Sequence, residues 1–314
     1  MKAQKYIFTG IIISVFLFLL LSPANAVSSA RSGLMLWFKV LLPTLLPFMI
    51  ISKLLIEADA ISCLTFLFAT PFHKFFHLSK SGTFVVMTGF LCGYPMGAKL
   101  VSELYTHHQL SHPEACYLLT FCNNLSPMFI SSFLTISCLD APQLLPYIIL
   151  IIYGTPIIFA LFTQPTFRKK LSENIFSPSM TPKNKKLDFE ILDSAIMDSF
   201  TQITKLGGYV ILFSIISGIF LSLSLPPLVL AFFTGFIEVT TGINYITVQT
   251  LPLTLRLMFS IPICVFGGLS GLMQTYSMMK DSSLPFLPYL FSKLLQSFLS
   301  LIFTGFFVHI YFSS

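Results

Sequence analysis

Residues 88–99, Thr-Gly-Phe-Leu-Cys-Gly-Tyr-Pro-Met-Gly-Ala-Lys, interrupt apolar sequence long enough to cross a bilayer. A continuous membrane helix is not written with glycines, a proline and a charge crowded together. Gly93 and Gly97 admit backbone conformations closed to other residues, and Pro95 removes an amide donor while pushing Tyr94 away from helix. The stretch therefore reads as broken backbone. In hydrocarbon such backbone survives only where protein buries it or water reaches it, which makes it part of a candidate solute site.

Composition sets the surroundings. The chain is 55% hydrophobic and 10% charged, with mean hydropathy +0.85, whereas a soluble domain is about a quarter charged. It reads as an all-α polytopic membrane protein of about 8–10 transmembrane or re-entrant segments in two pseudo-repeated halves with broken helices. The net charge of +6 then reports which loops stay cytoplasmic and gives no reason to expect nucleic acid. No cysteine pair has CxxC spacing, and His107, His108 and His112 lack Cys or acidic companions in ligand spacing. No metal and no cofactor is expected.

Lys2, Lys5, the apolar run from Ile7 to Leu21 and Ser22-Pro23-Ala24-Asn25-Ala26 have the form of a signal peptide. Because another apolar run follows almost directly, residues 1–33 read instead as a retained first span. Residues 34–163 make the first membrane half. Pro43 and Pro47 kink or split its opening span, 34–56, near the start. Residues 60–72 are too short for a straight crossing and read as interfacial or re-entrant. From Pro113 to Cys138 an apolar segment carries Asn123, Asn124, Ser126 and Pro127 at its middle. Such groups are costly in hydrocarbon unless they meet partners or water. The pair of amides reads as a ligand site, although either alone could tie two helices together. Residues 164–195, with Arg168, Lys169, Lys170, Lys183, Lys185 and Lys186, form a basic cytoplasmic linker. Residues 196–314 form the second half.

That second half echoes the first. Gly235 to Gly242 parallels Gly89 to Gly97, and Gly267-Gly268-Leu269-Ser270-Gly271 falls where Leu125-Ser126-Pro127 falls in the first half. Paired interruptions at corresponding places point to a transporter site at a repeat interface. Five ionisable residues, Lys53, Lys99, Lys205, Glu238 and Arg256, lie in or beside apolar sequence. Lys53 and Arg256 are near segment ends and can snorkel, whereas Lys99 and Glu238 follow the glycine motifs and read as functional. Lys99, the amides around Gly93 and Gly97, Asn123 and Asn124 would suit a small polar or anionic solute. Glu238 would be a proton-coupling group or a counter-ion for Lys99. Lys99→Ala and Asn123→Ala are accordingly expected to abolish flux in folded protein. The candidate substrate-binding set is Gly93, Tyr94, Pro95, Gly97, Lys99, Asn123, Asn124, Ser126, Glu238 and Ser270.

On Arg31 to Phe48, Gly93-Tyr94-Pro95-Met96-Gly97-Ala98-Lys99 and Phe121 to Phe129, the chain resembles membrane proteins with a nucleoside recognition, or Gate, domain. More narrowly it resembles sporulation integral membrane proteins of the YlbJ type. That resemblance implies a role in endospore formation, with dipicolinic acid carried across the outer forespore membrane. It also implies a multi-pass protein bathed in lipid, with a second copy or other sporulation membrane proteins as partners. The alternatives are a nucleoside-type permease and a non-transporting scaffold. A remoter one is a rhomboid-like serine protease using Ser270 and His309, which is disfavoured because the Gly268-to-Gly271 run is already explained by the repeat. H-E-x-x-H, P-loop and G-x-G-x-x-G motifs are absent from the sequence. An enzyme is not expected.

Overall fold

The computed structural model describes residues 2–58, 72–173 and 189–313. All but the last residue of the short segment expected at 60–72, and residues 174–188 of the basic linker, lie outside them. The described chain is helical: α1 (Lys2–Leu21), α2 (Pro23–Leu36), α3 (Leu42–Glu57), α4 (Lys80–Cys92), α5 (Met96–Thr106), α6 (His112–Leu119), a π-helix (Phe129–Cys138), α7 (Leu145–Glu173), α8 (Phe189–Leu221), α9 (Pro227–Ile237), α10 (Val239–Val248), α11 (Leu253–Phe266), α12 (Gly268–Met279) and α13 (Phe286–Ser313). Among the described residues, four helical stretches are long and apolar enough to cross a membrane: Pro142–Phe167, Phe189–Leu221, Leu253–Ser282 and Phe286–Phe312. Thr9–Leu21 and Pro23–Leu41 add a pair bent by 113°. The remaining apolar elements are shorter.

The kink expected from Pro43 is present just before it. Trp37–Leu41 is a π-helical turn in which the Leu42 N–H reaches back to the Trp37 carbonyl, widening the helix where the next residue offers no donor. Small residues then set the packing of α2 against α8. Ser29, Gly33 and Trp37 meet Gly218, Ser214 and Gly207 in antiparallel order, and the Trp37 indole N–H donates to the Ile203 carbonyl at 2.8 Å. Close backbone approach of this kind replaces the hydrophobic drive that lipid does not supply. Large apolar side chains on α7 and α13, among them Leu150, Phe162, Phe298 and Phe306, are exposed as lipid-facing surface.

Two elements depart from straight spans. The interruption expected between Gly235 and Gly242 falls at Glu238, and there α9 and α10 fold back on each other. A methyl group on Gly242 would overlap the backbone of Gly235, although a straight helix would hold these residues about 10 Å apart. The same closure joins α4 and α5, where a Cβ on Gly89 would lie 3.1 Å from the Gly97 Cα. Each arm is 10–13 residues long, about half the length a crossing needs. These are helical hairpins with arms too short to cross a bilayer, and the glycines that close them stand at the positions the repeat matched.

Candidate functional site

The hairpin tips meet two further breaks. The first tip is Gly93-Tyr94-Pro95, with Gly93 at φ 88° and a cis Tyr94–Pro95 peptide. The segment 120–126 is non-helical between α6 and the helical turn that leads into the π-helix, and it runs along this tip. The Tyr94 N–H donates to the Asn124 carbonyl, and a Cβ on Gly93 would lie 2.7 Å from the Ser126 nitrogen. The fourth break is Gly267, also at φ 88°, between α11 and α12. A Cβ there would touch the Tyr94 ring at 3.7 Å, and one on Gly268 would lie 3.3 Å from the Ile237 carbonyl at the second tip. All four breaks thus converge around Tyr94.

At that convergence lies a cavity of about 40 Å³. Gly93, Tyr94, Ser126, Glu238, Thr240 and Gln274 form its polar wall, while Leu36, Val40, Leu41 and Val210 close the apolar side. Its volume accommodates a few waters, well below the several hundred cubic ångströms usual for organic ligands. Two larger recesses, about 490 and 410 Å³, are almost wholly apolar and open among exposed phenylalanines such as Phe298 and Phe306. They are lipid-facing grooves.

Glu238 is the carboxylate of the polar wall. It ends α9 and caps α10, its Oε2 accepting from the Thr241 N–H at 2.8 Å, the Thr241 hydroxyl at 2.9 Å and the Thr240 hydroxyl. An acidic side chain is well placed there because the first amides of a helix have no internal acceptors. Ser270 stands one layer behind the wall, accepting from the Gln274 amide at 2.9 Å. It is buried, whereas His309 is exposed on α13.

The expected grouping of Lys99 with Asn123 and Asn124 around the solute is not what the geometry assembles. Lys99 is buried on α5, away from the cavity wall, in the field of Glu103, Lys53 and Asp198. It forms no ion pair with Glu238; the ion pair nearby joins Lys53 to Asp198. One helical turn beyond Pro95, α5 simply carries Lys99 past the tip. Gly97 serves the hairpin closure, where a Cβ would lie 3.0 Å from the Cys122 carbonyl carbon.

Asn123 points into protein. Its Nδ2 donates to the Thr275 hydroxyl at 2.8 Å and the Tyr289 hydroxyl at 2.9 Å, and its Oδ1 accepts from the Ala98 N–H at 3.3 Å. Asn123→Ala would strand these buried groups and is expected to cost about 2–4 kcal/mol of stability. The measurement is a thermal melt in detergent, followed by the fluorescence of the single tryptophan, Trp37. A melt unchanged from the wild type would remove the structural role. Asn124 braces both the tip, through its carbonyl, and Lys293, whose Nζ donates to Asn124 Oδ1 at 3.0 Å. Tyr153 adds a brace from α7, its hydroxyl donating to the Leu125 carbonyl at 2.8 Å.

Thr240, Gln274 and Lys293 did not emerge from the sequence. Thr240 and Gln274 are ordinary polar residues whose place depends on how the breaks meet. Lys293 had a signal: it belongs to a row of polar residues at helical spacing in an otherwise apolar span.

The helices and the four-break cavity define an all-α polytopic membrane protein with a buried polar centre. The chain is similar to the sporulation integral membrane protein YlbJ of Bacillus subtilis (strain 168), 25% identical over 334 aligned residues that take in 94% of this chain and 81% of that protein. This similarity supports the YlbJ-type resemblance. No family model matches the chain, and no solved structure matches it.

Proposed function

We propose that this protein is a transporter of a small polar or anionic solute in endospore formation, with dipicolinic acid as the solute and the outer forespore membrane as its place. The observation that carries this reading is the convergence of four helix breaks on one cavity with a polar wall inside a membrane protein. Irregular backbone at that depth is tolerated where it lines a solute path, and transporter sites lie at the interface of repeats built from discontinuous helices. The name of the Bacillus subtilis relative supports the setting. The planar dicarboxylate comes from the motif resemblance.

The cavity measures about 40 Å³, so entry of such a solute requires it to widen, by a hairpin tip parting from its facing break as alternating access demands. Glu238 is the coupling group in this reading, taking up a proton when an anion enters and releasing it on the other side. An ion gradient supplies the energy. The protein carries out no covalent chemistry, and its partners are the solute, lipid, and a second copy or other sporulation membrane proteins. One observation favours a nucleoside-type permease as second reading: the wall offers a carboxylate, an amide and hydroxyls but no cation, a set suited to ribose hydroxyls and ring N–H groups.

Uptake of dipicolinate into proteoliposomes loaded with terbium, read by luminescence with uridine as competitor, tests both. Saturable signal that uridine leaves unchanged is the expected result. Signal suppressed by uridine favours the permease. No flux under any ion gradient, from folded protein, favours a scaffold.

A further inference from the structure

The inward face of α13 carries Tyr289, Ser292, Lys293, Gln296, Ser300 and Thr304, each no more than 2% exposed. The opposite face, with Phe291 and Phe298, looks to lipid. Most donors of this row are taken by backbone carbonyls, while the Gln296 Oε1 is buried without a partner among the described residues. Ser292, Ser300 and Thr304 donate to carbonyls of their own helix, and the Gln296 amide donates to the Thr120 carbonyl. Lys293 is different. Its Nζ donates to the side chain of Asn124, a neutral group, and no acidic side chain among the described residues forms an ion pair with it.

An ammonium at that depth is costly unless some negative charge offsets it. Asn124 also shows what lies on the far side. Its carbonyl takes the Tyr94 N–H, and the residues that follow it, Leu125 and Ser126, border the cavity. Lys293 therefore holds the residue that immediately precedes the cavity-lining Leu125 and Ser126. That wall contains Glu238 and no cation, so on its own it would repel a carboxylate solute. Inside a membrane protein, where screening is weak, a charge held against Asn124 still acts on the cavity.

We propose that Lys293 sets the charge selectivity of the site, its ammonium held behind Asn124 so as to offset Glu238 and admit an anionic carboxylate solute. The assignment rests on reading the cavity as a solute site. Lys293 is a positioning and specificity residue, because it does not line the cavity and acts through Asn124.

The test compares two solutes of one shape and different charge, dipicolinate and its neutral diamide, pyridine-2,6-dicarboxamide, by calorimetric titration of purified full-length protein. Lys293→Gln retains an amide to donate to Asn124 and removes the charge. It is expected to weaken dipicolinate binding by at least about tenfold while leaving diamide binding and the ligand-free melting temperature near wild type. Equal loss of both solutes, or a steep fall in the ligand-free melt, would overturn the proposal in favour of a structural role. An unchanged preference would overturn it as well. Wild-type binding of the diamide alone would remove the charge assignment and keep the solute site, whereas binding of neither solute would remove both.

Discussion

Glu238→Ala is expected to cut gradient-driven solute flux by about a hundredfold, the effect of deleting a buried charge worth several kcal/mol to a solute or proton within contact distance. The reason lies in how the carboxylate is held. Its three described hydrogen bonds all fall on Oε2, and Oε1 takes none among the described residues while the side chain borders the cavity. One oxygen therefore anchors the hairpin tip, and the other is available to chemistry. Alanine removes both roles and costs about 1 kcal/mol of helix capping besides. Glu238→Gln separates them, since an amide oxygen can still cap α10 but cannot carry a proton. The glutamine variant is expected to melt near the wild type and yet to lose proton-driven accumulation in terbium-loaded proteoliposomes. Full accumulation by Glu238→Gln would end the coupling role and leave Glu238 as a cap alone.

Much of this site was written locally. Gly93, Tyr94, Ser126 and Glu238 were legible because each breaks a rule of membrane helices within its own few residues, and the structure brings all four to one wall. The kink before Pro43 was legible for the same reason. What local rules could not supply is where a broken helix goes next. The matched glycines announced a break near Gly97 and near Gly242, but nothing nearby distinguishes a kinked span from a hairpin. Fold-back is decided by the overlap of Gly89 with Gly97 and of Gly235 with Gly242. Direction was equally hidden for Lys99 and Asn123. Asn123 finds Thr275 and Tyr289 more than 150 positions away, partners no window of sequence contains. Lys99 sits beside a motif that belongs to the site, yet the turn of α5 points it elsewhere.

The cavity's small size bears on mechanism as much as on identity. The wall is assembled from four separate breaks, joined across the gaps between elements by hydrogen bonds such as the Tyr94 N–H to the Asn124 carbonyl and the Tyr153 hydroxyl to the Leu125 carbonyl. Such joints open at low cost compared with a continuous helix, whose hydrogen bonds must break in series. The Trp37–Leu41 π-turn, whose Val40 and Leu41 close the apolar side, is a second joint of this kind. The site is thus bounded by the irregular parts of the fold, while the α2–α8 seam and the lipid-facing spans hold the frame.

Gly242→Leu and Gly97→Leu are expected to prevent the hairpins from closing, with losses above about 4 kcal/mol, beyond the range of ordinary overpacking. A side chain on Gly242 would collide with the backbone of Gly235, and one on Gly97 with the Cys122 carbonyl group. Backbone cannot swing aside as the end of a side chain can, so relief requires the arms to separate and expose the polar tips. Gly154 and Gly208 provide controls, since a Cβ at either meets nothing within 4 Å, and Gly154→Leu and Gly208→Leu should melt within about 0.5 kcal/mol of wild type or slightly above it. The measurement is the yield of monodisperse protein in detergent together with its Trp37 melt. If Gly242→Leu matches Gly208→Leu, then α9 and α10 do not close on each other in the membrane. They would instead run on as one span with Glu238 at its middle, and the convergence on which the solute site depends would lose one of its four sides.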